Sequence, residues 1–332
     1  MDIIKNISII FISIFFESLP FLLLGSLISS IIETYVPNET IAKIIPKNQI
    51  FGSIVGVFLG FFLPACDCAV IPVSKRLLKK KVPIHVAISF MLASPIINPV
   101  VLLSTYNAFY KTNPEIFWHR LLFGILISLF IGIIMGIIFG KKEVLTNSLA
   151  SEEGESCHCH KQEKTVDEDF KDLVDEFDEL DFEDECSCTH KEHTHHSLKN
   201  DILSICKHTA YDLFEVAKYL MIGAFIASLV QVLLPRNVLM MFNNNQVLSI
   251  LVLMMFAYLI SLCSTSDSFV GKSLLSIFNK SSIIAYLLLG PMIDIKNTIV
   301  LLGNYKKSFV WTLIFLIFVV IFLFSLAVVR IL

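Results

Sequence analysis

Hydrophobic residues along this chain come in long blocks rather than in alternation. Stretches such as "IIKNISIIFISIFFESLPFLLLGSLISS" and "LLFGILISLFIGIIMGIIF" run about 20 residues or more, the length needed to cross a hydrocarbon core of ~30 Å. Backbone N–H and C=O groups find no partner in lipid, so spanning segments are helices or closed barrel strands. Barrel strands alternate apolar and polar positions over about ten residues. These blocks do not. The pattern predicts eight membrane helices, at roughly 7–34, 50–73, 84–108, 118–140, 209–234, 246–270, 281–303 and 308–330. The first block is too long for the core of a signal peptide, carries Glu17 inside it and lacks a small-residue cleavage site, so it reads as a retained span.

The segments fall into two matching sets. "FFESLPFLLLGSLISS" aligns with "LFEVAKYLMIGAFIAS", pairing Glu17 with Glu215 and Gly25 with Gly223. Further on, Cys66 pairs with Cys263, Lys75 with Lys272, Pro95 with Pro291 and Asn98 with Asp294. Leucine matches come cheaply by chance; glutamate, cysteine, lysine and proline in register do not. The expected fold is an all-α integral membrane protein with two repeated four-helix halves, residues 1–140 and 205–332, separated by a loop over 141–204. An even number of spans per half predicts an axis along the membrane normal, with a substrate site between the halves. Proline removes a helix hydrogen bond and clashes with the preceding turn, so broken helices are expected at Pro64–Pro72, Pro95–Pro99 and Pro291.

Composition agrees with the membrane class: 55% of 332 residues are hydrophobic, and mean hydropathy is +0.74. The net charge of −3 hides an asymmetry, because residues 151–200 hold 17 acids against 5 bases, a net of −12, leaving +9 for the rest. A basic membrane body with an acidic insert gives no reason to expect a nucleic-acid partner. Lys75, Arg76, Lys79, Lys80 and Lys81 after the second segment, and Lys141 and Lys142 after the fourth, mark those connections as cytoplasmic by the positive-inside bias. With eight crossings, both termini and the acidic loop are then cytoplasmic too, and Lys306 and Lys307 fall on the wrong side.

Candidate chemistry concentrates at the proline-marked breaks. In "FLPACDCAVIPVSKRLLKKK", Cys66, Asp67 and Cys68 sit between Pro64 and Pro72. In extended backbone residues i and i+2 point to one side, so both sulfurs can face one soft ligand. The competing reading is that buried cysteine is a small hydrophobe and the prolines only kink the span. The equivalent place in the second half, "SLCSTSDSFVGK", offers Cys263, Thr265 and Asp267 as cavity-lining groups, or merely a wet helix end. Asn98 and Asp294, each three residues after a proline, form a second symmetric polar pair. Glu17 and Glu215 lie inside apolar segments, where a carboxylate usually faces a cavity, a partner or a proton path. These two are expected to couple transport to protons, or else to pair structurally.

The acidic loop carries Cys157, His158, Cys159 and His160, then Cys186, Cys188, His190, His193, His195 and His196. Such a tract can hold Zn or Cu(I) in a flexible site, although its one-residue spacings do not match structural zinc patterns. Acidity alone would make it a solvated, disordered tether. No cofactor is required by anything else in the chain.

The segment "PACDCAVIPVSKRLLKKKVPIHVAISFMLASPIINPVVLLSTY" resembles the hallmark of the predicted-permease family that contains YraQ-type proteins and the ArsP organoarsenical efflux permeases. The resemblance covers residues 1–140 and 205–332 but not the acidic loop. It implies an eight-span permease in the cell membrane that exports a thiophilic metal or metalloid. A related branch is linked with copper and zinc efflux and carries Cys/His-rich loops, but this chain lacks that branch's fuller cysteine-rich run. Some members sit beside a second membrane subunit, so the partners implied are the lipid bilayer, a small ion or metalloid and such a subunit. The alternative is a metal-responsive subunit of a membrane complex that does not itself transport. A membrane enzyme finds no support in an H-E-x-x-H, a Gly-x-Ser-x-Gly or a phosphate-binding glycine loop.

Overall fold

The apolar blocks fold as helices, and their polar breaks end them. The computed structural model describes residues 2–35, 46, 48–62, 67–140, 144–145, 198–233 and 245–331. Twelve helices lie among them. The first six are α1 (Asp2–Tyr35), α2 (Gln49–Phe62), α3 (Asp67–Lys79), α4 (Ile84–Ile97), α5 (Pro99–Phe109) and α6 (Pro114–Phe139). The next six are α7 (Leu198–Leu233), α8 (Gln246–Ile260), α9 (Ser264–Leu274), α10 (Lys280–Met292), α11 (Ile295–Asn304) and α12 (Lys307–Ile331). These helices belong to one compact unit, residues 1–146 with 199–332.

The helices break beside the marked prolines, between Ile97 and Pro99 and just after Met292, rather than at the prolines themselves. Pro72 lies inside α3, Pro95 inside α4 and Pro291 inside α10; Pro64 lies outside the described residues. A proline loses its own hydrogen bond and bends the helix, but the residues after it still have N–H groups to give. At two of the interruptions a side chain takes over the next helix's first donors. Asn98 accepts from Val100 N at 3.0 Å with Pro99 in the first position of α5. Asp294 accepts from Asn297 N at 2.5 Å and caps α11.

Side-by-side contacts fix the helix directions. Gly52 of α2 packs on His85 of α4, Gly56 on Val86 and Phe90, and Gly60 on Ser94, so α2 and α4 run parallel. A tight turn joins α3 to α4, with Lys81 at a positive φ of 62° and Val82 N bonded to Leu77 O at 3.1 Å. The chain therefore runs along α2, doubles back along α3 and sets out again along α4. The second set repeats this. Ser249 bonds Ser282 at 3.0 Å and Phe256 contacts Tyr286, so α8 parallels α10. Asp267 meets Gly290 while Gly271 meets Leu287 and Ile283, so α9 opposes α10. The continuous spans expected at 50–73 and 246–270 are not formed. At 14 and 15 residues, α2 and α8 reach only about 21–23 Å at 1.5 Å per residue, short of a ~30 Å core.

Among the described residues, five segments are long and apolar enough to cross a membrane: Ile4–Ile31, Ile84–Phe109, Pro114–Phe139, Lys280–Asn304 and Lys307–Arg330. Every residue of α4 is buried, as is every residue of α10 after Lys280, which is why neither shows an apolar stripe. On α4 the close neighbours are small-residue faces. Gly52, Gly56 and Gly60 line one side, and Gly124, Gly132 and Gly136 of antiparallel α6 the other. The outer helices turn apolar side chains such as Phe51, Phe58, Trp118, Phe130 and Phe315 outward.

Polar contacts identify the two ends of the body. At one end Lys75 Nζ donates to Asn304 Oδ1 at 2.9 Å, Ser74 bonds Tyr305 OH at 2.8 Å, and Lys306 N donates to Val144 O at 2.9 Å. At the other, Lys280 pairs with Glu115. Helix α7 runs opposite to α11, since Tyr219 meets Gly303 while Gly223 meets Lys296. It also opposes α1, since Thr209 bonds Ser30 and Phe225 meets Phe11.

Candidate functional site

Where α3 begins, the chain has just doubled back, so its first residues lie deep in the helical body. Asp67 opens the helix, and a carboxylate there is favoured by the partial positive charge of the unpaired N–H groups. Cys68 follows, 3% exposed, with its Sγ 3.9 Å from Ser18 Oγ of α1. From the second set, the break between α8 and α9 brings Ser261, Leu262 and Cys263 to the same place. Lys296 of α11 and Glu17, Ile14 and Phe21 of α1 complete the wall of a cavity of about 30 Å³. Lengths of chain far apart in sequence thus supply two thiols, an acid and an amine to one small space.

The backbone at this break is unusual. Ser261 adopts the left-handed region, φ 53° and ψ 47°, which costs a non-glycine residue on the order of 1–2 kcal/mol. That conformation lets its Oγ donate to Asp294 Oδ2 at 2.7 Å. Asp294, fully buried, also has Lys296 Nζ 3.5 Å from Oδ2 and Asn297 N on Oδ1. Behind the cavity wall the carboxylate therefore has a hydroxyl, an amide and an ammonium around it. Asp67 is different: it is buried, and its Oδ1 has no hydrogen-bond partner among the described residues. Lys296 acts electrostatically on Asp67, Cys68 and Cys263 as well as on Asp294.

A second buried polar cluster lies next to the first. Arg120 of α6, with no exposed surface, donates to Thr105 Oγ1 at 2.7 Å and to Ser268 Oγ at 2.8 Å. Tyr286 OH donates to Asp267 Oδ1 at 2.9 Å, and Asp267 Oδ2 has no hydrogen-bond partner among the described residues. Ser104 Oγ donates to the Thr265 carbonyl at 2.9 Å. Arg120 and Asp267 interact electrostatically, as do Asp67 and Asp267, which ties this cluster to the cavity.

Of the residues singled out from sequence, Asp67, Cys68, Cys263 and Glu17 meet at the cavity, with Asp294 immediately behind it. Glu17 stands exposed at the rim. Thr265 is half-buried with its Oγ1 3.4 Å from Cys263 Sγ, while Asp267 belongs to the arginine cluster. Asn98 is a buried cap and does not line the cavity. Cys66, the side chain of Glu215, and Cys157, His158, Cys159, His160, Cys186, Cys188, His190, His193, His195 and His196 lie outside the described residues. Among the described residues no group of three or more His, Cys, Asp and Glu is arranged to hold a metal ion. Sequence reasoning missed Lys296 and Arg120. An isolated cation inside an apolar segment was the available signal for both, but Arg120 sits near the start of its expected segment and Lys296 just beyond the break expected at Pro291.

A family described as predicted permease matches residues 3–329. The chain is 37% identical over 319 residues to the UPF0718 protein YcgR of Bacillus subtilis, covering 96% of this chain and 95% of that one. It is 33% identical over 301 residues to a Streptococcus mutans protein whose name makes it a candidate subunit of a two-component membrane permease complex, covering 91% and 87%. No solved structure matches the chain.

Proposed function

The chain belongs to the predicted-permease family, and on that premise we propose that it is a multi-pass membrane permease exporting a thiophilic metal or metalloid, such as a trivalent arsenical, Cu or Zn. One observation carries this reading. Cys68 and Cys263, from the two repeated halves, line one cavity with Asp67 at the point where both helical hairpins turn. Thiolates and thiols favour soft ions, and an ionisable group buried in an apolar helical body marks a substrate or ion path. Thr265, Asp267 and Asp294 adjoin that path. A permease moves its substrate unchanged, so no catalytic group is assigned.

Each half is read as three crossings, α1, α4–α5 and α6 or α7, α10–α11 and α12, with a hairpin, α2–α3 or α8–α9, that enters and returns. Three is odd, so the halves are related by an axis in the membrane plane, not along its normal. The end that carries Lys75, Arg76, Lys79, Lys80, Lys81, Lys306 and Lys307 is cytoplasmic by the positive-inside bias. All these cations now share one side, which removes the conflict that eight crossings left at Lys306 and Lys307. Both termini then lie on the far side rather than in the cytoplasm. The acidic connection over 141–204 stays cytoplasmic, where its cysteines and histidines hold Zn or Cu(I) and gather substrate. Glu17 and Glu215 exchange protons during the cycle, and the double substitution E17Q/E215Q flattens the pH dependence of transport.

The test is uptake of Cu, Zn, Cd, arsenite and methylarsenite into everted vesicles, with and without the protein. Protein-dependent uptake of at least one of them is expected; none at all would overturn the reading. The relative named as a complex subunit favours a second possibility, in which a second membrane subunit is needed and this chain only responds to metal. Uptake that appears only when a second subunit is co-expressed would decide for it.

A further inference from the structure

Two sets of buried hydrogen bonds flank the cavity, one along each helix that leaves it. Helix α3 starts at Asp67 and runs to the Lys75 end of the body, while α9 starts just after Cys263 and runs to the Lys280 end. Partway along α3, Ser74 bonds Tyr305 at 2.8 Å and Lys75 Nζ donates to Asn304 Oδ1 at 2.9 Å, tying α3 to the end of α11. Along α9, Ser104 Oγ donates to the Thr265 carbonyl at 2.9 Å and Thr105 bonds Ser268 at 3.0 Å, tying α9 to α5. Arg120 of α6 donates to both Thr105 and Ser268, at 2.7 and 2.8 Å, and to the Ser264 carbonyl at 3.4 Å. One device thus appears twice. The helix on which the chain has doubled back is fastened to the second piece of an interrupted segment, α11 for α3 and α5 for α9.

Resting on the reading of this cavity as a point on a path across the membrane, we propose that Arg120 is a positioning residue of transport, the clasp that holds the path shut toward the Lys280 end. Ser74, Lys75, Asn304 and Tyr305 hold it shut toward the Lys75 end. The guanidinium fork gives donors to α5 and α9 at once, and no neutral side chain of that reach carries as many. The two fastenings differ in completeness. Arg120 Nε and Asp267 Oδ2 are buried without hydrogen-bond partners among the described residues, whereas Ser74, Lys75, Asn304 and Tyr305 have no atom so placed. A buried donor or acceptor left unpaired carries a desolvation cost that water would return. Parting α9 from α5 and α6 therefore regains partners for two groups, which sets this cluster apart from a network that only holds helices together. Substrate leaves the cavity toward one side when the fastening there parts and the opposite one holds.

The experiment reads alkylation of Cys263 in the full-length protein by a sulfonated, membrane-impermeant maleimide, resolved by peptide mass spectrometry so that the other cysteines do not interfere. Intact cells present one membrane face to the reagent and everted vesicles the other. R120Q is expected to raise the rate at least tenfold from one face and to leave it within twofold from the other. S104A/S268A, a milder change that keeps the guanidinium, is expected to raise it at least threefold from that same face alone. S74A/Y305F is expected to raise it at least tenfold from the opposite face alone. R120Q acting equally from both faces, as a merely loosened body would, or from neither, would overturn the proposal. So would S104A/S268A acting from both. If R120Q and S74A/Y305F open the protein to the same face, the reading of the cavity as a point on a path across the membrane fails, an outcome distinct from the others.

Discussion

Two apolar segments are interrupted deep in the body, at Asn98 and at Asp294, and the pair differ in what surrounds the cap. At the first, Asn98 sits at φ −54° and ψ 130°, accepts from Val100 N, and is followed by Pro99 and an exposed Val100. At the second, Asp294 caps α11 in the same way, but Ser261 and Lys296 also converge on it, and the residues that follow are mostly buried. A cap needs only an oxygen aimed at orphan N–H groups, and a neutral asparagine supplies that as well as an aspartate does. The charge on Asp294 is therefore surplus to capping. It is accounted for by the ammonium beside it and, through that ammonium, by the cavity. Equivalent positions in a repeat can thus keep one backbone device while only one of them takes on chemistry.

The comparison can be broken most decisively through transport. Replacing Cys68 and Cys263 together by serine is expected to cut vesicle uptake of the transported species at least tenfold, with the protein still inserted. A wild-type rate would strip the second interruption of its functional neighbourhood. Next in size is D294A, which removes the cap and leaves a buried ammonium unpaired. A loss of about 3–5 kcal/mol is expected in reversible unfolding from mixed micelles. D294N separates the two contributions, because asparagine can still cap. It is expected to recover about 1 kcal/mol of the D294A loss, the usual worth of a cap. If D294N is as stable as the wild type, the ion pair contributes nothing and the two interruptions are energetically alike. The smallest effect belongs to N98A, which deletes a cap with no charge attached. A loss of about 1 kcal/mol and unchanged substrate selectivity are expected; altered selectivity would place Asn98 in the site after all.

Much of the candidate site was legible as composition at marked places. Cys68 and Cys263 stand out because thiols are scarce in apolar segments, and the expected pairing of Cys66, two residues before Cys68, with Cys263 pointed to one location. Asp67 and Asp294 stand out for the cost of burying a carboxylate. Lys296 was not recognised, because the break expected at Pro291 makes a lysine just beyond it read as the polar start of a new helix. Only the packing of α11 against α3 and α7 shows that it is inside. Arg120 was hidden in the same way, six residues into α6 and near enough to its start to look interfacial.

The sequence by itself determined that the chain is helical and apolar enough to cross a membrane several times, because segment length and hydropathy are local quantities that lipid reads directly. It marked the capped interruptions for the same reason, since a cap involves neighbours a few residues apart. Direction was beyond it. Whether α2 and α3 continue across or double back depends on which partner α2 packs against. The small faces at Gly52, Gly56 and Gly60 settle that by fitting α4 in parallel. That choice brings the start of α3 and the α8–α9 break, nearly 200 residues apart, to one cavity. Burial of Lys296 follows from the same packing. Close contact between helices is a property of matched surfaces, and no single stretch of sequence carries both surfaces.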